Sequence, residues 1–167
     1  MNAFVFPGQG SQHLGMGADL YNSNQKAQQV FEDANEILGF KITDIMFGED
    51  QEALKQTNIT QPAIYIHSMV IALIADKFFN PSAVAGHSLG EFTALAAANY
   101  ISFEDGLRLV QKRAIAMQEA CEKNESSMAA IVGLEDKIVE DVCLQSKETL
   151  VAANYNCPGQ IVICLLY

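Results

Sequence analysis

Residues 82–98 read SAVAGHSLGEFTALAAA, and the order of residue types in this stretch indicates an α/β protein. The small and apolar residues of 82–85 predict a brief buried strand, and 89–98 predict a helix whose small side chains let it lie closely on a sheet. Between them, Gly86-His87-Ser88-Leu89-Gly90 matches the Gly-x-Ser-x-Gly turn, which lifts a serine hydroxyl above a sheet. The stretch therefore predicts a strand-turn-helix unit with Ser88 at its tip.

A second strand is predicted at the N-terminus, where residues 3–6 are apolar and Pro7 ends the run. The glycine-rich loop Gly8-Gln9-Gly10-Ser11-Gln12 follows directly. Thr60 is the predicted N-cap of an apolar helix. Helical periodicity predicts three helices in this part of the chain, at 25–38, at 63–79 and from Ser102 to about Lys123.

The polar residues 124–127 predict the boundary between two units, residues 1–126 and residues 127–167. After this break, the pattern predicts a strand at 128–132, a helix at 135–145 and two further strands at 150–153 and 160–163. The apolar end at 164–167 would leave an unpaired sheet edge, so we expect the chain to be incomplete.

Composition narrows the class of protein. Half of the 167 residues are hydrophobic and only 18% are charged, which predicts a sizeable core. A net charge of -10 argues against nucleic acid as a partner, because phosphate binding needs clustered cations. No signal peptide or membrane span fits the sequence. The four cysteines and three histidines are too scattered for a metal motif, so we expect no metal, reduced thiols and a cytoplasmic location.

Acyl transfer is the chemistry that the serine turn favours. A serine nucleophile needs donors for the developing oxyanion, normally the backbone N–H of the following residue and one from a separate loop. Leu89 would supply the first donor, and the loop at Gly8-Gln9-Gly10 could supply the second, since glycine exposes backbone amides. That loop lacks the Lys-Ser/Thr ending of a nucleotide-binding P-loop.

Several segments together resemble the malonyl-CoA:acyl-carrier-protein transacylase family. The resemblance covers nearly the whole chain, to about Ile163, and the segments come in the family's order. They are Phe6-Pro7-Gly8-Gln9-Gly10-Ser11-Gln12, Thr60-Gln61-Pro62-Ala63, Gly86-His87-Ser88-Leu89-Gly90-Glu91, Arg113 with Met117-Gln118, and Asn154-Tyr155-Asn156-Cys157-Pro158-Gly159-Gln160.

The resemblance implies a fold and a reaction. Residues 1–126 would be the N-terminal part of a large, α/β-hydrolase-like acyltransferase subdomain with a parallel sheet, and residues 127–167 part of a ferredoxin-like small subdomain. The enzyme would move malonyl from malonyl-CoA to the phosphopantetheine thiol of acyl carrier protein, in fatty acid biosynthesis and without a cofactor.

The resemblance also implies site roles. Ser88 would be the nucleophile, and the backbone amides of Gln9 and Leu89 would form the oxyanion hole. Arg113 would bind the malonyl carboxylate through its planar guanidinium. Gln61 would lie near the acyl pocket, although a Gln before Pro could also cap the helix. His87 is grouped with the substrate-binding residues in a supporting or packing role.

Two alternatives stay open. In the family, the catalytic histidine comes from a later segment than any in this sequence, so the chain could be an inactive truncated or split fragment. A serine acyl hydrolase would use the same turn but let water discharge the ester. Of the histidines, His87 points away from its neighbour on a tight turn, and His13 has only a weak claim to act as the base.

Overall fold

The computed structural model describes residues 1–166 and divides into two compact units, Met1–Gln118 and Glu119–Tyr167. Its elements in chain order are β1 (Ala3–Phe6), α1 (Ala18–Ser23), α2 (Gln25–Leu38), α3 (Ile42–Phe47), α4 (Gln51–Lys55), α5 (Thr57–Ile74), β2 (Ala83–Gly86), α6 (Leu89–Ala97), α7 (Phe103–Lys123), β3 (Ser126–Val132), α8 (Asp136–Gln145), β4 (Thr149–Cys157) and β5 (Gln160–Leu166). A short 3-10 turn, Asp76–Phe78, follows α5.

The two predicted strands of the first unit pair with each other. β1 and β2 are parallel, with Ala3 opposite Ala83 and Phe6 opposite Gly86. Parallel strands need a crossover connection, and α1 to α5 provide it here. The carboxyl ends of both strands consequently lie at the same edge, where the loop after Phe6 meets the turn after Gly86.

Helix α5 runs through the core of the first unit and is buried over most of its length, with Tyr65 and Ile66 fully inaccessible to solvent. The prediction of Thr60 as its N-cap is wrong, because the helix begins at Thr57 and Gln56 occupies the cap. Thr60 is instead buried, and its hydroxyl donates to the carbonyl of Leu54. The helix also ends before the predicted limit, at Ile74.

The backbone of the serine turn lies unusually close to its surroundings. A Cβ built on Gly86 would lie 1.9 Å from the carbonyl carbon of Gly90, and one built on Gly90 would lie 2.2 Å from the carbonyl oxygen of Phe6. The amide of His87 also donates to that Phe6 carbonyl at 3.1 Å. Only glycine fits at both positions, since a side chain at 86 would overlap the backbone at the start of α6 and one at 90 would push the turn away from β1.

The second unit is a small antiparallel sheet with one helix. Its strand order is β3-β5-β4, so the last strand lies between the other two. Val139 and Cys143 of α8 pack with the fully buried Ile161 of β5 to form a separate small core. The α/β class is confirmed, with one parallel and one antiparallel sheet.

Among residues 1–166, no helix combines the length and the apolar character that crossing a lipid bilayer requires.

Gly86→Ala tests whether close backbone contact holds the turn. The added methyl would overlap the Gly90 backbone, so we expect a loss of about 3 kcal/mol in the free energy of unfolding. Gly39→Ala is the comparison, because nothing lies within 4 Å of its built Cβ and the alanine there carries only the backbone strain of a φ of 78°. Urea unfolding should show a smaller loss for the control, and equal losses would contradict the steric account.

Candidate active site

The site lies where β1 and β2 end. Gly8 is buried, and a Cβ built on it would come within 2.7 Å of both the Nδ1 and the carbonyl oxygen of His87. The glycine-rich loop therefore packs directly on the residue before Ser88. This contact follows from the parallel register, since each strand delivers its following loop to the same edge.

Ser88 has the backbone geometry of a nucleophile elbow. Its φ of 54° and ψ of -105° are sparsely populated for a residue with a side chain, and it immediately precedes the first residue of α6. The side chain is exposed. Leu89 follows as the first helical residue, so its backbone N–H has no acceptor within the helix. The helix N-terminus favours negative charge beside the serine.

The glycine-rich loop is braced by its own side chains. The Ser11 hydroxyl donates to the carbonyl of Gly8 at 2.9 Å, and the Gly10 amide donates to Gln12 Oε1 at 2.8 Å. The Gln9 side chain donates from Nε2 to Thr57 Oγ1 at 3.4 Å. These bonds fix the loop's path while Gln9 itself stays exposed.

Arg113 extends from α7 to the serine. Its Nη2 donates to Ser88 Oγ at 2.8 Å, and its Nη1 donates to Gln61 Oε1 at 2.5 Å. The guanidinium carbon lies 5.9 Å from the centre of the Phe92 ring, within cation–π range. The cation is thus held on three sides, one of which is the predicted nucleophile.

Gln61 is fully buried, and its amide completes this chain of contacts. Its Nε2 donates to the sulfur of Met117 at 3.3 Å, while its oxygen accepts from Arg113. Gln61 lies one turn inside α5, so the alternative in which it caps the helix does not hold. Burial of an amide needs partners for both ends, and Arg113 and Met117 provide them.

The structure brings together Ser88, Arg113 and Gln61, which the resemblance had grouped, and packs His87 against the Gly8 loop. The roles of Gln9 and Leu89 as oxyanion donors stay predictions. The structure adds two residues that we had not assigned to the site, Phe92 and Met117. Met117 belongs to the segment with Arg113 and Gln118 that resembles the family, but we had assigned it no role in the site.

His13 and His67 lie against each other, with ring centres 6.2 Å apart and planes nearly perpendicular. Burial, followed by the nearby His13, lowers the pKa of His67. The folded state, in which α5 is packed, therefore favours the neutral form of His67.

A model of the family described as acyl transferase domain matches residues 3–165. The chain belongs to this acyl transferase family.

Individual similar proteins are described more specifically than the family model. A malonyl CoA-acyl carrier protein transacylase of Staphylococcus aureus is 43% identical over 164 residues, which make up 96% of this chain and 53% of that protein. The crystal structure of an acyl carrier protein S-malonyltransferase from Vibrio cholerae matches with a TM-score of 0.90 and 39% identity, over 98% of this chain and 55% of that one.

A further similar structure is a malonyl-transacylase in complex with a type II PKS acyl-carrier protein. It matches with a TM-score of 0.90 and 38% identity, over 98% of this chain and 54% of that one. The chain spans about half the length of the curated relatives it matches.

The lowered pKa of His67 predicts a pH dependence of stability. The unfolded chain takes up a proton near pH 6.5, whereas the folded state resists it, so the unfolded state binds more protons as the pH falls. His67 thus contributes stability above about pH 6.5 that is lost below it. His67→Gln should lose less stability than the unsubstituted chain on acidification, as measured by thermal unfolding from pH 8 to 5. Parallel curves would contradict this assignment.

Proposed function

We propose that the chain carries the acyl-binding and nucleophilic part of a malonyl transferase. Ser88 attacks the thioester carbonyl of malonyl-CoA, CoA leaves as its thiol, and a malonyl ester forms on the serine. The phosphopantetheine thiol of acyl carrier protein then attacks that ester, which regenerates the hydroxyl and forms a new thioester. The two steps balance without a redox partner or a metal.

One contact carries this proposal, the 2.8 Å hydrogen bond from Arg113 Nη2 to Ser88 Oγ. A malonyl group has its carboxylate one methylene away from the carbonyl that the serine attacks. A cation touching the nucleophile is therefore at the distance that this carboxylate needs. Guanidinium binds carboxylate with two parallel hydrogen bonds, which orients malonyl and disfavours acyl groups without the second carboxylate.

The glycine loop and the helix start support the same reaction. As the serine attacks, negative charge develops on the carbonyl oxygen and needs donors nearby. We assign the backbone N–H groups of Gln9 and Leu89 to this task. The packing of Gly8 on His87 supports it, because it draws the first loop to the serine turn.

Attack by Ser88 also needs a group that accepts the hydroxyl proton. In the family that the chain resembles, this group is a histidine from a later segment than any in this sequence. The carrier protein is proposed as the acceptor because a similar structure is a complex with an acyl-carrier protein.

The four free cysteines support a reducing, cytoplasmic setting.

Acyl loading tests the proposal. The chain is incubated with malonyl-CoA or acetyl-CoA and its intact mass is measured over time. We expect one malonyl adduct that forms slowly, because the proton-accepting histidine is not part of this sequence, and Ser88→Ala should abolish it. Arg113→Ala should slow malonyl loading at least about 30-fold, because it removes charge-assisted hydrogen bonds, while acetyl loading persists.

Lys112→Ala is the matched control, since Lys112 is an exposed cation beside Arg113 on the same helix. It should load malonyl at the unsubstituted rate. Transfer of the adduct to carrier protein faster than to water separates a transferase from a hydrolase. Absence of any adduct would contradict loading by this chain and favour the inert-fragment alternative.

A further inference from the structure

The buried Gln61 amide has two possible orientations, and its neighbours permit only one. A guanidinium offers donors alone, and a thioether sulfur can accept but has no proton to donate. With its oxygen toward Arg113 and its nitrogen toward Met117, both contacts are satisfied, at 2.5 and 3.3 Å. In the reverse orientation, the Gln61 N–H groups would point at the guanidinium and its carbonyl at the sulfur. Neither end of the amide would then have a hydrogen-bond partner.

The Met117 sulfur therefore does more than accept one weak hydrogen bond. It stabilises the orientation in which the Gln61 carbonyl holds Nη1 of Arg113. Because guanidinium is planar and rigid, fixing Nη1 on one side directs Nη2 on the other, and Nη2 is the atom that contacts Ser88. Phe92 lies against the cation and limits its movement out of this position.

We infer that Met117 is a positioning residue that sets carboxylate selectivity by orienting the Gln61 amide. The inference rests on the proposed function, in which Arg113 binds the malonyl carboxylate. Met117 acts through Gln61 and Arg113 and does not itself contact the reacting atoms. The residue type matters because leucine has similar volume but cannot accept a hydrogen bond, whereas glutamine can.

Malonate binding provides a test that needs no acyl transfer. Malonate is titrated into the chain and followed by the NMR signals of the Arg113 guanidinium and the Gln61 side-chain amide, with uncharged malonamide as the comparison ligand. Met117→Leu should weaken malonate binding about threefold, as expected for loss of one weak hydrogen bond, and should speed solvent exchange of the Gln61 amide protons. Malonamide binding should not change.

Rescue separates hydrogen bonding from packing. Met117→Gln restores an acceptor and should return malonate affinity to that of the unsubstituted chain. Met128→Leu makes the same chemical change at an exposed methionine of β3 and should have no effect. Equal weakening by Met117→Leu and Met117→Gln would overturn the inference, because it would indicate a packing role.

A double-mutant cycle tests whether Met117 acts on malonate binding through Gln61. In a Gln61→Leu background there is no amide to orient, so Met117→Leu should cause no further loss of malonate affinity. Additive losses, or no malonate binding by the unsubstituted chain, would overturn the inference. A different outcome is a chain that binds malonate selectively but never forms an acyl adduct. That result would contradict the proposed transfer reaction and leave the inference about Met117 standing.

Discussion

The backbone of the turn at 86–90 lies in contact with the end of β1, and the site depends on that contact. Gly90 faces the Phe6 and Pro7 carbonyls without room for a methyl group, while the His87 amide donates to Phe6. This approach fixes where α6 begins and where the loop after β1 must run. It also leaves Ser88 in a strained conformation that the surrounding backbone maintains.

The elements around that contact were predictable where the signal is local. The alternation of strand, glycine turn and small-residue helix at 82–98 predicts β2 and α6 well, and apolar spacing predicts α2 with its observed bounds. The start of α5 was predicted wrongly because Thr60 has a typical capping side chain. The structure instead buries that hydroxyl against the Leu54 carbonyl, and the chain before it is already helical.

The site was predictable only in part, for a physical reason. Ser88 belongs to a five-residue pattern whose geometry is local, so the motif alone indicates it. Arg113 contacts the serine from 25 positions away, and Met117 contacts Gln61 across 56, so no periodicity could pair them. Family resemblance supplied Arg113 and Gln61. Met117 lies where helical periodicity alone predicts an apolar residue, so its sulfur contact with Gln61 leaves no signal in the sequence.

Two loops from adjacent parallel strands meet beside Ser88, and Arg113 donates a hydrogen bond to its hydroxyl. A crystal structure of the chain grown with saturating malonate tests this most directly. We expect one carboxylate of malonate on the Arg113 guanidinium and the other at Ser88 Oγ, with the N–H groups of Gln9 and Leu89 directed at an oxygen of that second carboxylate. Malonate bound away from Arg113, or a Gln9 N–H turned away from Ser88, would contradict it.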